Sequence, residues 1–94
     1  MEKMSTSHED YLEAMVVLGA STDSSVRSVD VATKMGVSKA SVNKAMSVLK
    51  EKGYAEQPYY GDITLTEEGY RYGQAVLKRH EMLFKFLHKA LGIP

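Results

Sequence analysis

"SVDVATKMGVSKASVNKAMSVLKEKG", residues 28–53, decides the fold. Ser28 reads as the cap of a short helix in which Val29, Ala32 and Met35 point inward. Gly36 suits the left-handed position that ends such a helix. Ser38 then caps a second helix. Its Val42, Ala45, Met46 and Leu49 recur at the i, i+3, i+4, i+7 spacing of a buried stripe, and Gly53 ends it. Two helices joined by a tight glycine turn, the second rich in lysine, read as a helix-turn-helix.

The flanks extend this reading. In "YAEQPYYGDITLT" (54–66), two β-prone runs surround a Pro/Gly turn, and Ile63 and Leu65 alternate with Thr64 and Thr66. A hairpin placed directly after the second helix is a wing. Val26–Arg27 reads as a short strand and "GASTDSS" (19–25) as a loop. Upstream, Ser5–Ser7 offer hydroxyl caps for a first helix whose Leu12, Met15, Val16 and Gly19 form a stripe. Downstream, Thr66 caps a final helix over about 67–91, with Glu67 and Glu68 favourable to its dipole. The expected fold is mainly α with a small β-hairpin. It divides into a winged helix-turn-helix, 1–66, built to bind DNA, and a long C-terminal helix, 67–94.

Composition narrows the class. Ninety-four residues make one small domain at most. The absence of cysteine excludes disulfides and thiolate metal sites, and fits a cytoplasmic chain. No apolar run approaches the ~20 residues a membrane span needs, and the start lacks the apolar core of a signal peptide. The net charge of zero hides a polarity: residues 1–23 carry −4 and residues 34–52 carry +4. A cationic element on a neutral domain fits contact with a polyanion, or a solvated helix face.

If 39–52 is a recognition helix, the face opposite its stripe presents Lys39, Ala40, Asn43, Lys44 and Ser47. Residues near the start of such a helix reach base edges in the major groove. Ala40 and Ser41 are small enough for close approach. Asn43 can pair with adenine, Lys44 can donate to guanine, and Lys39 can serve base or phosphate. Ser28 and Ser38, at helix N-termini, are candidate phosphate contacts. Tyr59 and Tyr60 at the wing tip either touch DNA, with Tyr60 the stronger candidate, or pack on the hairpin. Lys50 and Lys52 read as solubilising charges.

A second cluster is "SHEDYLEAM" (7–15). It puts Glu9, Asp10 and Glu13 within two turns, although like charges at i,i+3 or i,i+4 cost a helix about 0.2–0.5 kcal/mol per pair. Glu9 reads as an ordinary first-turn acid. No nucleophile–base pair, phosphate loop or catalytic metal motif is visible, so no catalytic residue is assigned and an enzyme is not expected.

Taken in order, "EDYLEAMVVL", "VRSVDVATKMGVSKASVNKAMSVLKEKGYAE", "ITLTEEG" and "KRHEMLFKFLHKALGI" resemble the metal-dependent repressors of the diphtheria-toxin-repressor and manganese-transport-regulator family. The resemblance covers residues 7–93. In the manganese-responsive branch the first helix supplies an Asp and a Glu three residues apart as metal ligands, which match Asp10 and Glu13. The long helix supplies a His, which matches His80. The iron-responsive branch carries Met at the first of these positions, so the resemblance implies Mn²⁺ in preference to Fe²⁺. Two carboxylates and an imidazole suit either ion. His80 falls in the stripe Val76, His80, Phe84, Leu87, Leu91, where a lone histidine is either a satisfied core residue or a ligand.

The family's remaining principal ligands lie on a helix past "LGI", beyond Pro94, so the metal site is expected to be incomplete in this chain. Phe84 stands where many relatives carry an accessory-site Glu, and Gly61 where relatives often carry a wing Arg. His8 and His88 match no ligand position and read as surface residues. The implied function is a metal-responsive, DNA-binding transcriptional repressor acting on a double-stranded operator. Its C-terminal helix would pair with a second copy through Leu83, Phe84, Phe86, Leu87, Ala90, Leu91 and Ile93, which cover more than one stripe. Two alternatives are a winged-helix regulator without metal control and a winged-helix protein-interaction module.

Overall fold

The computed structural model describes residues 6–92; Ser5, Ile93 and Pro94 lie outside the described residues. Within them the elements run α1 (Thr6–Leu18), β1 (Val26–Arg27), α2 (Ser28–Met35), α3 (Lys39–Glu51), β2 (Ala55–Tyr59), β3 (Asp62–Leu65) and α4 (Glu67–Leu91). This is the expected winged helix-turn-helix with a long final helix.

The turn between α2 and α3 follows from its residues. Gly36 takes φ 69°, and its N–H meets the carbonyls of Ala32 and Thr33. The Ser38 hydroxyl oxygen accepts from the Ser41 N–H at 3.1 Å, capping α3. Val42, Ala45, Met46 and Leu49 are buried as the spacing predicts. The expected inward face of α2 is corrected. Arg27 is the N-cap, and Ser28 is itself helical and buried. The stripe therefore runs Ser28, Val31, Ala32, Met35, while Val29 faces outward at 41% exposure.

β1 forms a third strand of the wing sheet, whose order is β1-β3-β2. Val26 pairs with Ile63 and Arg27 with Asp62, both antiparallel. The Gly61 carbonyl accepts from the Ser28 N–H at 2.7 Å and from the Ser28 hydroxyl at 3.2 Å. The wing turn, where Gly61 sits at φ 82°, is thus tied to the first turn of α2. β2 slips its register against β3 between Glu56 and Tyr59, and Pro58 lies in the slipped stretch of this edge strand.

α1 and α4 pack along each other. A Cβ on Gly73 would lie 2.6 Å from Val16 Cγ2 and 2.9 Å from the Leu12 carbonyl oxygen, so only glycine permits the approach. Tyr11, Leu12, Ala14 and Met15 are the buried residues of α1 after Glu9. Gly19 is not part of the stripe: it is exposed at φ 107° and turns the chain out of the helix. The Thr66 hydroxyl accepts from the Gly69 N–H and donates to the Gly53 carbonyl, fixing the start of α4 to the end of α3. Leu12, Met15, Met46, Leu49, Ile63 and Leu65 are fully buried between these layers. Each such side chain contributes about 1.5–3 kcal/mol relative to exposure.

Candidate metal centre and nucleic-acid face

Asp10 and Glu13, three residues apart, share one face of α1. Val76 packs inward from α4, and His80 follows one turn later on the same face. The structure therefore brings Asp10, Glu13 and His80 together, each offering one ligand atom within 4.8 Å of the others. His80 Nδ1 already lies 2.8 Å from Glu13 Oε2. His80 is not a core histidine; its side chain is 44% exposed. Of the stripe expected around it, Val76 is buried and Phe84, Leu87 and Leu91 are exposed. Lys34 lines the same recess as Asp10 and Glu13 and brings a cation towards the two carboxylates. Hard oxygens with a single imidazole suit a first-row divalent ion such as Mn²⁺ or Fe²⁺, so the donor set fits one.

Glu9 departs from the sequence reading. It is buried, and both carboxylate oxygens are engaged. The Tyr72 hydroxyl donates to Oε2 at 2.7 Å, and Arg79 Nη2 donates to Oε1 at 3.0 Å. Donation to Glu9 and then burial push the Tyr72 phenol up to about 12. A buried carboxylate needs such partners to remain charged. The signal was present in the sequence: the three-residue step from Met15 to Leu12, continued one turn back, lands on Glu9. Its charge argued for the surface.

α3 and the wing carry a second recess, lined in part by lysines. Lys39, Asn43, Ser47 and Lys50 from α3 line a cleft of about 410 Å³ with Gln57 and Tyr60 of the wing. Lys50 Nζ donates to Gln57 Oε1 at 3.3 Å across it. Ala40, Ser41 and Lys44 are exposed on the same helix outside the cleft. Tyr59 and Tyr60 do not pack on the hairpin; both project into solvent. Ser28 lines the cleft, but its hydroxyl is spent on Gly61, and the Ser38 hydroxyl is spent on capping α3. Arg27 was not anticipated. It borders the cleft in a two-bond pair with Asp30, at 3.0 and 3.2 Å, which raises its already high pKa.

Comparison with known proteins identifies the lineage. Residues 1–71 match the family described as "Domain of unknown function (DUF8462)". The HTH-type transcriptional regulator MntR of Lysinibacillus sphaericus is 35% identical over 87 residues, which cover 93% of this chain and 61% of that protein. An uncharacterized HTH-type transcriptional regulator of Methanocaldococcus jannaschii is 31% identical over 91 residues, or 96% of this chain and 72% of that protein. The chain belongs to DUF8462 and to the MntR-like winged-helix regulators. The crystal structure of IdeR from T. acidophilum covers the whole chain with a TM-score of 0.76 at 25% identity, using 43% of its own length. NadR, at 13% identity and a TM-score of 0.77, shares the fold. The Lysinibacillus and Methanocaldococcus relatives are both named as transcriptional regulators. It spans 61% of the length of its Lysinibacillus relative. Among its described residues, no helix is long and apolar enough to cross a membrane.

Proposed function

We propose that this chain is the DNA-reading part of a metal-responsive transcriptional repressor, with Mn²⁺ favoured over Fe²⁺. The observation that carries the metal reading is the convergence of Asp10, Glu13 and His80 from two helices onto one spot. When bound, a divalent ion supplies an electrostatic cross-link between α1 and α4. Asp10 and Glu13 give it oxygen donors from one helix face, and His80 gives an imidazole nitrogen. The direct His80–Glu13 contact must yield to that ion. Acid opposes binding, because a protonated imidazole cannot ligate.

On the DNA side, α3 enters the major groove. Lys39, Ala40, Ser41, Asn43 and Lys44 meet base edges or phosphates, and Tyr60 of the wing reaches the flanking backbone. Ser38 contributes its backbone N–H rather than its hydroxyl, while Ser28, whose N–H and hydroxyl both bond the Gly61 carbonyl, holds the wing turn instead of a phosphate. The exposed apolar part of α4 pairs with a second copy, so that two α3 helices meet successive major grooves, about 34 Å apart. Metal binding then shifts the population towards the arrangement with that spacing.

The alternative reading is a regulator without metal control, in which the Glu13–His80 bond itself closes α1 on α4. Operator binding measured with Mn²⁺, with Fe²⁺ and with chelator separates the readings. Stronger binding with metal supports the repressor reading, and equal binding in all three removes metal control. Failure of Lys39→Ala with Lys44→Ala to weaken DNA binding would move the chain to the class of protein-interaction modules.

A further inference from the structure

We infer that Glu9 is a positioning residue, which holds α4 against α1 so that His80 already faces Asp10 and Glu13 before any ion arrives. This rests on the metal reading above. Glu9 precedes Asp10, and Arg79 precedes His80, so the Glu9–Arg79 bond joins the backbone positions adjacent to the proposed ligands. Tyr72 adds a second tether two turns earlier on α4. The Tyr72 ring is itself fixed edge-on to Tyr54, with centroids 5.3 Å apart. With Gly73 seated against Leu12 and Val16, the phase and separation of the two helices are set by packing and by one buried carboxylate.

The consequence concerns what the ion has to do. Donors that are already converged cost little ordering entropy when they are ligated, and groups that orient ligands tune affinity without touching the metal. Glu9 is not one of the three grouped donors, yet its loss frees α4 to rotate and lets the imidazole leave the cluster.

The test is Mn²⁺ affinity, measured by competition with a chelating dye, for the chain and for Glu9→Gln and Tyr72→Phe. Glu9→Gln is expected to weaken affinity roughly tenfold, the scale of lost outer-shell partners. It also removes a negative charge near the site, so Tyr72→Phe decides: it changes no charge at neutral pH and is expected to cost about threefold. Unchanged affinity in a folded Tyr72→Phe chain would overturn the inference.

Amide exchange without metal gives an independent readout. Faster exchange over residues 76–80 is expected in both variants, while α3 keeps its protection. Equal exchange in wild type and variants would sink the positioning role. If the unaltered chain binds no Mn²⁺, the metal reading fails, and exchange alone then judges whether Glu9 sets the junction.

Discussion

The two halves of α4 reverse the usual relation between apolarity and burial. The first half, from Glu67 to His80, contains few large apolar side chains, yet Gly69, Gly73 and Val76 are buried. The second half carries Met82, Leu83, Phe84, Phe86, Leu87 and Leu91, and all of them are exposed. The difference is a neighbour. α1, β3 and the turn at Tyr54 cover the first half, and its glycines let them approach; the large apolar side chains of the second half stay exposed. Large exposed apolar surface marks an interaction site.

The comparison breaks most visibly at Gly69. A Cβ there would overlap the Tyr54 carbonyl, which is backbone and cannot move aside. Gly69→Ala is expected to cost about 3 kcal/mol in urea unfolding, at the upper end of ordinary overpacking. A cost below about 1 kcal/mol would mean that α4 is not seated as described. Next comes the exposed half. Phe86→Ala is expected to leave monomer stability within about 0.5 kcal/mol, while weakening self-association by about 2 kcal/mol if Phe86 anchors the interface. Sedimentation over a concentration series reads the second number. A strict monomer before mutation would leave this face without the proposed partner.

Thr66→Ala is smaller and sharpens where the covered half begins. It removes the cap of α4 and the bond to Gly53, so a loss of about 1–2 kcal/mol is expected. Chemical denaturation compared with the exposed Ser47→Ala measures it. The smallest effect is alkaline. With its pKa raised from 10.0 to about 12, the Tyr72 phenol holds its proton more tightly in the folded chain than in the unfolded one. Its contribution is complete below pH 10 and is lost as pH rises through 12. Stability profiles across that window should fall less steeply for Tyr72→Phe than for wild type.

Much of this architecture was legible because its signals are local. Gly36, Ser38 and Gly53 act on residues within a turn of themselves, as does the Thr66 cap on Gly69, and the α3 stripe repeats within one helix. The convergence of Asp10 and Glu13 with His80 was legible only through the resemblance, since no spacing rule links α1 to α4. Glu9 was misread for the same reason: the partners that make its burial tolerable lie 63 and 70 positions away. The α2 phase failed on a subtler point. A serine at a helix start is usually a cap, but here the Gly61 carbonyl draws the hydroxyl inward and shifts the stripe by one residue.

Both edges of the small sheet bear on how copies of this chain meet. β1 is only two residues long, and β2 loses a donor at Pro58 where its register slips. Neither edge offers an incoming strand a regular ladder to extend. Strand-by-strand accretion into fibrils, the hazard of small open sheets, is thereby blocked at the wing. The largest run of exposed apolar side chains among the described residues is the end of α4, so a fusion or label meant to keep copies dispersed belongs there rather than on the hairpin.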